Sequence, residues 1–358
     1  MDQLNDLKIY SIYDQGHSYD SIHFLPQQCQ TAWNDIKKLD LPDTYRDATS
    51  IVFCGMGGSA YGAHIIKNLY HKSLKIPLDI VSDYHLPAHV NPNTLLIFAS
   101  YSGNTQETIS CAEEAFRLPF EPKIIGISSG GKLEELMKIY MKPFYSFSQD
   151  YNPSMQPRLG QGYMQIGQIA LLSTLGYLSV DDQEIKKLID NLLSLQKEYE
   201  KKVPVAENKG KQYAEMLSKK IVNIIGGEFL SGAIHAIRNP FHETGKHFAN
   251  YYLVPELNHH LMEGLKFPQT NPQTLLFFVL NSGLYSKEID VRMRLTKDVI
   301  KKQEIEIIEY TAKLDTPLSQ VFEVIQLGSY ITFYLAMLHG VDPAQIPWVD
   351  YFKNTLRN

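Results

Sequence analysis

The strongest order in the chain is a pattern of apolar runs launched from polar turns, and it occurs twice. Asn91-Pro92-Asn93-Thr94 leads into Leu95-Leu96-Ile97-Phe98, and Asn271-Pro272-Gln273-Thr274 leads into Leu275-Leu276-Phe277-Phe278. A continuous apolar run behind a turn signal predicts a strand buried on both faces. Upstream, Ile51-Val52-Phe53-Cys54 enters Gly55, and Ile221-Val222-Asn223-Ile224-Ile225 enters Gly226-Gly227. A helix-like stretch follows each glycine turn, at 60–70 and at 229–237. A third strand is expected at 123–127 and at 304–308. Strand–helix–strand–helix–strand, repeated, predicts two related α/β units, each a mainly parallel sheet with helices on both faces.

Between the two copies, Asp182-Gln183-Glu184-Ile185-Lys186-Lys187-Leu188-Ile189 is polar and helical in composition, and Pro204 punctuates its end. The expected division is a first domain at 1–180, a linker helix at 181–203 and a second domain at 204–358. Residues 1–50 are expected to form a helical extension packed on the first domain.

Composition narrows the partners. The 358 residues are 44% apolar and 20% charged, with net charge −5, which suits two soluble domains. Lysines and arginines are scattered, so neither nucleic acid nor an anionic membrane is an expected partner. Cys29, Cys54 and Cys111 show no CxxC spacing and are expected to be free thiols in a reducing compartment. Residues 1–6 lack a basic and apolar leader pattern, and the apolar run at 275–280 is far too short for a membrane span. A cytoplasmic protein is expected.

The candidate chemistry starts at Gly55-Met56-Gly57-Gly58-Ser59-Ala60, between a strand and a helix. Glycines allow close backbone approach, and a helix N-terminus favours an anion. Ser59 can serve as helix cap or as phosphate donor. The spacing is neither GxGxxG nor a Walker loop. A second element, Ser100-Tyr101-Ser102-Gly103-Asn104-Thr105-Gln106-Glu107-Thr108, follows the strand at 95–99. Its hydroxyls cluster at the carboxyl end of a buried strand, where open α/β sheets bind ligands. Gly57, Gly58, Ser59, Ser100, Ser102 and Thr105 are therefore the candidate phosphate site, with Thr105 alternatively a simple helix cap. In the second copy Leu280 replaces Ser100 and Tyr285 replaces Thr105, so phosphate binding is expected in the first domain alone.

GMGGSA together with SYSGNTxET resembles the sugar isomerase (SIS) domain, whose members bind phosphosugars. Two such domains in one chain resemble the bifunctional phosphoglucose/phosphomannose isomerase family, over nearly the whole sequence. The resemblance implies two three-layer αβα domains with flavodoxin-like sheets. It also implies a homodimer and aldose–ketose isomerisation of fructose 6-phosphate with glucose 6-phosphate and mannose 6-phosphate. That reaction requires a base near C2, a group that opens the ring, and positive charge beside an enediolate. By resemblance Glu243, in Arg238-Asn239-Pro240-Phe241-His242-Glu243-Thr244-Gly245-Lys246, is the base. His259, closing Pro255-Glu256-Leu257-Asn258-His259, assists ring opening, within reach of the other subunit's site. Arg158, after Gln156-Pro157, stabilises the enediolate, and Lys353 contacts the open-chain sugar. Glu243 and His259 lie sixteen residues apart, which is expected to keep both in one strand–loop neighbourhood.

The sequence departs from the family where His260-Leu261-Met262-Glu263 follows His259 and where Leu159-Gly160-Gln161-Gly162 follows Arg158. Both departures bear on substrate preference rather than on reaction type. No histidine spacing fits HExxH and no GxSxG elbow is present, so no metal and no cofactor are expected. The rival reading is a non-catalytic phosphosugar sensor, which would have no use for Glu243, His259 and Lys353.

Overall fold

The computed structural model of the chain describes residues 3–356. Five strands form a first sheet: β1 (Ser50–Gly55), β2 (Leu78–Val81), β3 (Thr94–Ala99), β4 (Lys123–Ser128) and β5 (Phe144–Ser146). Their order is β2-β1-β3-β4-β5, and all pairs are parallel. Four more strands form a second sheet: β6 (Ile221–Gly227), β7 (Ala249–Val254), β8 (Leu275–Ser282) and β9 (Glu306–Ala312). Their order is β7-β6-β8-β9, again all parallel. The buried apolar runs became the central strands, as their pattern dictates. The strands missed from sequence, β2, β5 and β7, are edge strands, short or only half-buried. β9 begins two residues later than expected. Glu304 sits at φ +58 with its N–H bonded to the Lys301 carbonyl, so the chain is still turning there.

Helices α1 (Lys8–Tyr13), α2 (Ser18–His23) and α3 (Leu25–Ile36) precede the first sheet. Helices α4 (Tyr61–Leu69), α5 (Gln106–Ala115) and α6 (Gly131–Ile139) alternate with its strands. Helices α7 (Gln161–Thr174), α8 (Asp182–Tyr199) and α9 (Lys209–Leu217) join the two sheets. The second sheet carries α10 (Ser231–Glu243), α11 (Leu261–Gly264), α12 (Asn271–Thr274), α13 (Lys287–Lys302), α14 (Pro317–His339) and α15 (Pro347–Leu356). Helix α14 is long and apolar enough to cross a membrane, yet 94% of its apolar window is buried inside the fold. It is a core helix.

The N-terminal extension does not keep to the first sheet. α3 packs on α7 and α8, whereas α1 and α2 pack on α14 of the second half. Tyr10 stacks on Phe333 at 6.0 Å, and Tyr19 lies 5.5 Å from the same ring. The buried ammonium of Lys211 donates to the Leu4 and Lys201 carbonyls, each at 2.8 Å, and fastens the extension to α9. These aromatic contacts come from residues distant in sequence, which periodicity within 1–50 does not reveal.

The two halves meet where α4 crosses α10. A Cβ on Gly232 would stand 2.5 Å from the Ile65 Cα and 2.8 Å from the His64 carbonyl, so the backbones touch there. One turn on, the His235 ring stacks on His64 at 4.2 Å and meets Tyr61 at 5.8 Å. Going forward along α10 therefore goes backward along α4. The antiparallel crossing brings the last turn of α10 to the first turn of α4, at the carboxyl edge of the first sheet. Helix α10 also runs through Pro240 to Glu243, past the expected end at 237. Proline removes one donor, but the Thr244 and Gly245 N–H groups both bond the Pro240 carbonyl and close the turn, at 2.8 and 2.9 Å.

Gly232→Ala must separate these backbones and is expected to cost about 1–3 kcal/mol in urea unfolding, from overpacking. Gly264→Ala, where a Cβ meets nothing within 4 Å, is the control and should leave the midpoint nearly unchanged.

Candidate active site

The site begins where β1 and β3 end side by side. A Cβ on Gly55 would lie 2.9 Å from the Ala99 carbonyl, so a side chain is excluded. Met56 is extended, Gly57 takes φ +51, and a 3-10 turn over Gly57–Ala60 feeds α4. Gly57 and Gly58 remain accessible, and Ser59 is buried. The Ser59 hydroxyl accepts the Tyr101 N–H at 2.9 Å, and its carbonyl accepts Gln168 Nε2 at 2.7 Å. Ser59 thus ties the glycine turn to the hydroxyl loop, and its own O–H stays available to donate.

In the second loop Ser100 is fully buried, and its hydroxyl lies 2.8 Å from the Thr105 hydroxyl. Thr105 occupies the cap position of α5 but makes no side-chain capping bond. Its hydroxyl serves Ser100 instead, leaving N–H groups of α5 open to an anion. Gly103 makes this fold of the loop possible. It sits at φ +70, and a Cβ would collide with the Gly130 carbonyl at 1.7 Å. Ser102 is exposed, and its hydroxyl accepts the Asn104 N–H at 3.3 Å.

Arg158 lies directly beside this cradle. A Cβ on Gly58 would stand 3.5 Å from the Pro157 carbonyl and 3.6 Å from the Arg158 Cα. The guanidinium is 2% exposed. Nε donates to Thr244 Oγ1 at 3.1 Å, and Nη1 to Gln156 Oε1 at 2.9 Å. Nη2 donates to the Pro343 and Ala344 carbonyls at 2.7 and 2.9 Å. Glu243 Oε2 is 3.7 Å from Nη1, and its carboxylate is 32% exposed. Burial pulls Arg158 below its ordinary basicity, and the Glu243 charge opposes that pull. The Tyr61 phenol faces the same group. Burial pushes it far up, and Glu243 pushes further, so it stays protonated.

Glu243 and Arg158, predicted from distant segments, are thus brought together next to Gly58. His259 is not. It closes the 3-10 turn Glu256–His259 that follows β7, and it is exposed. β7 runs parallel to β6, from Ala249 beside Val222 to Val254 beside Gly227. Glu243, ahead of β7, lies at the amino edge of this sheet, and His259 lies beyond its carboxyl edge. A strand of this length spans about 20 Å. The expectation of one shared strand–loop neighbourhood therefore fails within a single chain, because an unforeseen edge strand intervenes. Lys353 stands on α15, whose residues are exposed throughout. The charge of Asp350, one turn earlier on that helix, reaches Arg158.

Three contributors escaped the sequence reading: Gln156, Thr244 and Lys246, all within segments singled out for other residues. Lys246 Nζ bonds the Glu243 carbonyl and, at 3.2 Å, the Pro343 carbonyl. A basic residue just past a helix C-terminus was its available signal.

The second copy differs at the corresponding place. β1 pairs Ile51 with Leu95, and β6 pairs Ile221 with Leu275, which sets Glu228 at the place of Gly58. Glu228 adopts φ +46. Its carboxylate accepts Ser286 Oγ at 2.5 Å and the Ser286 N–H at 3.1 Å, at the start of α13. An internal anion sits at this helix N-terminus.

Residues 206–356 match the family model described as the bacterial phospho-glucose isomerase C-terminal SIS domain. The bifunctional phosphoglucose/phosphomannose isomerase of Caldicellulosiruptor bescii is 32% identical over 94% of this chain and 98% of its own. The enzyme of the same name from Aquifex aeolicus is 27% identical over 92% of this chain and 95% of its own. Among solved structures, a hypothetical protein from Thermus thermophilus shares the fold with a TM-score of 0.75 at 15% identity. That match covers 98% of this chain and 92% of the other. With a relative of this identity aligned end to end, and two parallel sheets of the same architecture, the chain belongs to the bifunctional phosphoglucose/phosphomannose isomerase family.

Proposed function

We propose that this protein interconverts fructose 6-phosphate with glucose 6-phosphate and mannose 6-phosphate through an enediolate. The observation that carries the reading is the Glu243 carboxylate held 3.7 Å from a buried, permanently charged Arg158, against the glycine turn. In this reading the substrate phosphate sits on the N–H groups at Gly57 and Gly58, on the hydroxyls of Ser59, Ser100, Ser102 and Thr105, and at the start of α5. Anchoring the phosphate presents C1 and C2 to Glu243. The carboxylate takes the C2 proton of the aldose and returns it to C1, giving the ketose. Arg158 offsets the negative charge that forms on the two oxygens between these steps. The enediol carbon at C2 is planar, so its stereochemistry is set by the face to which a proton returns. That is how one site can serve both aldoses.

Ring opening needs a proton carrier at neutral pH, and an imidazole suits the task. The distance along β7 favours the partner subunit's His259 for it, in a homodimer. The exposed apolar side chains of Trp348, Tyr351, Phe352 and Leu356 on α15 support the same assembly, since they want cover. Lys353 shares that helix and would meet the open-chain sugar at the mouth of the site. The chain is read as cytoplasmic.

Purified protein supplied with fructose 6-phosphate should yield glucose 6-phosphate and mannose 6-phosphate, each measured by its own coupled assay. Glu243→Gln should lower kcat by about 10²–10⁴-fold, the usual worth of a general base, while calorimetry shows substrate binding nearly intact. An active E243Q enzyme removes Glu243 from its role. Ser100→Ala combined with Thr105→Val should raise KM at least about tenfold, through lost charge-assisted hydrogen bonds, and an unchanged KM places the phosphate elsewhere. Inactive E243Q and H259A subunits, refolded together in equal amounts, should regain about a quarter of wild-type activity if each site draws on two subunits. No recovery would mean that both residues act within one chain.

A further inference from the structure

We propose that Lys246 is a positioning residue of this site, bracing Glu243 and Arg158 against the Pro343 segment. The inference rests on the isomerase reading for its kinetic consequence and on geometry alone for the brace. Lys246 lies three residues after Glu243 and takes φ +51, the left-handed region that side chains seldom adopt. That turn sends its side chain back along α10. Nζ then donates to the Glu243 main-chain carbonyl, an otherwise open acceptor at the helix end, and to the Pro343 carbonyl at 3.2 Å. The Pro343 carbonyl also accepts Arg158 Nη2 at 2.7 Å. Two cations from different parts of the chain therefore converge on one oxygen. The base residue is held at both ends, its carbonyl by Lys246 and its carboxylate beside Arg158.

The charge of Lys246 is set by named neighbours. Burial first and the Arg158 charge second lower its pKa, Asp342 and Glu243 oppose them, and together they leave it at about 8. Below about pH 8 the ammonium offers three donors and favours the negative end of the helix dipole. Above it the amine loses both the charge and one donor, and the brace loosens.

The experiment compares wild type, Lys246→Met and Lys246→Arg in kcat, KM, the pH profile of kcat, and amide hydrogen exchange over 243–248 and 342–346. K246M is expected to lose about 10²-fold in kcat, the scale of a slightly misplaced catalytic group, with KM within about threefold. Wild-type kcat should fall on the alkaline side with a midpoint near 8. K246R keeps its charge, so it should retain activity and carry that fall upward by about one pH unit or more. Exchange over both segments should rise about tenfold in K246M and return toward wild type in K246R. Wild-type kcat in K246M, or an alkaline fall that K246R leaves in place, overturns the kinetic role. Unchanged exchange in K246M overturns the brace. If the wild type itself converts no hexose phosphate, the isomerase reading falls, and hydrogen exchange still decides the brace.

Discussion

The arrangement depends on the burial of one guanidinium. A cation taken out of water costs several kcal/mol unless its donors are met, so Arg158 imposes positions on whatever meets them. Gln156 comes from its own turn, Thr244 from the end of α10, and Pro343 and Ala344 from the segment before α15. Those acceptors lie up to 186 residues away in sequence. Satisfying one side chain thus draws both halves and the C-terminal segment to the rim of the first sheet. The remaining charge faces Glu243, whose carboxylate is partly open to solvent. The guanidinium that the fold must solvate is the same group proposed to offset charge in the reaction.

The duplicated architecture divides its labour through small differences at equivalent places. Where the first copy has Gly58, bare and accessible, the second has Glu228, folded onto the Ser286 cap. The first copy leaves its helix N-terminus free for the proposed phosphate, and the second sets a carboxylate of its own at the corresponding place. Helix α10 of the second copy then carries Glu243 across to the first copy's cradle. The proposed active residues therefore belong to the junction rather than to either unit.

Much of this was legible in the chain. The apolar runs at β1, β3 and β8, and at β6 with Asn223 inside it, could hardly form anything but buried parallel strands, and the glycine turn after β1 marked the proposed phosphate site. The hydroxyls of Ser100 and Thr105 were readable as a cluster because they follow a buried strand. The junction was not legible. Nothing local to Arg158 says that its donors end on Pro343, and Gln156, Thr244 and Lys246 resemble ordinary surface residues until burial is known. Sixteen residues between Glu243 and His259 looked like proximity, because β7, a half-polar edge strand, carries no strong period to reveal that the chain crosses a whole sheet between them. The extension at 1–50 was readable as helical, but its docking on α14 rests on aromatic contacts from the far end of the sequence.

Two-domain enzymes often admit substrate by swinging apart, and that motion needs slack at the hinge. Here the backbones of α4 and α10 touch at Gly232, and His64 stacks on His235 one turn away. A joint with atoms at contact distance cannot flex without breaking its packing. The glycine turn and Glu243, the proposed base, are therefore carried on helices packed at contact distance. The exposed helix on this side is α15, which follows the carbonyls of 343 and 344 that Arg158 holds. If sugar binds at the proposed site, the packed joint makes α15, and not a parting of the two halves, the place where it would enter.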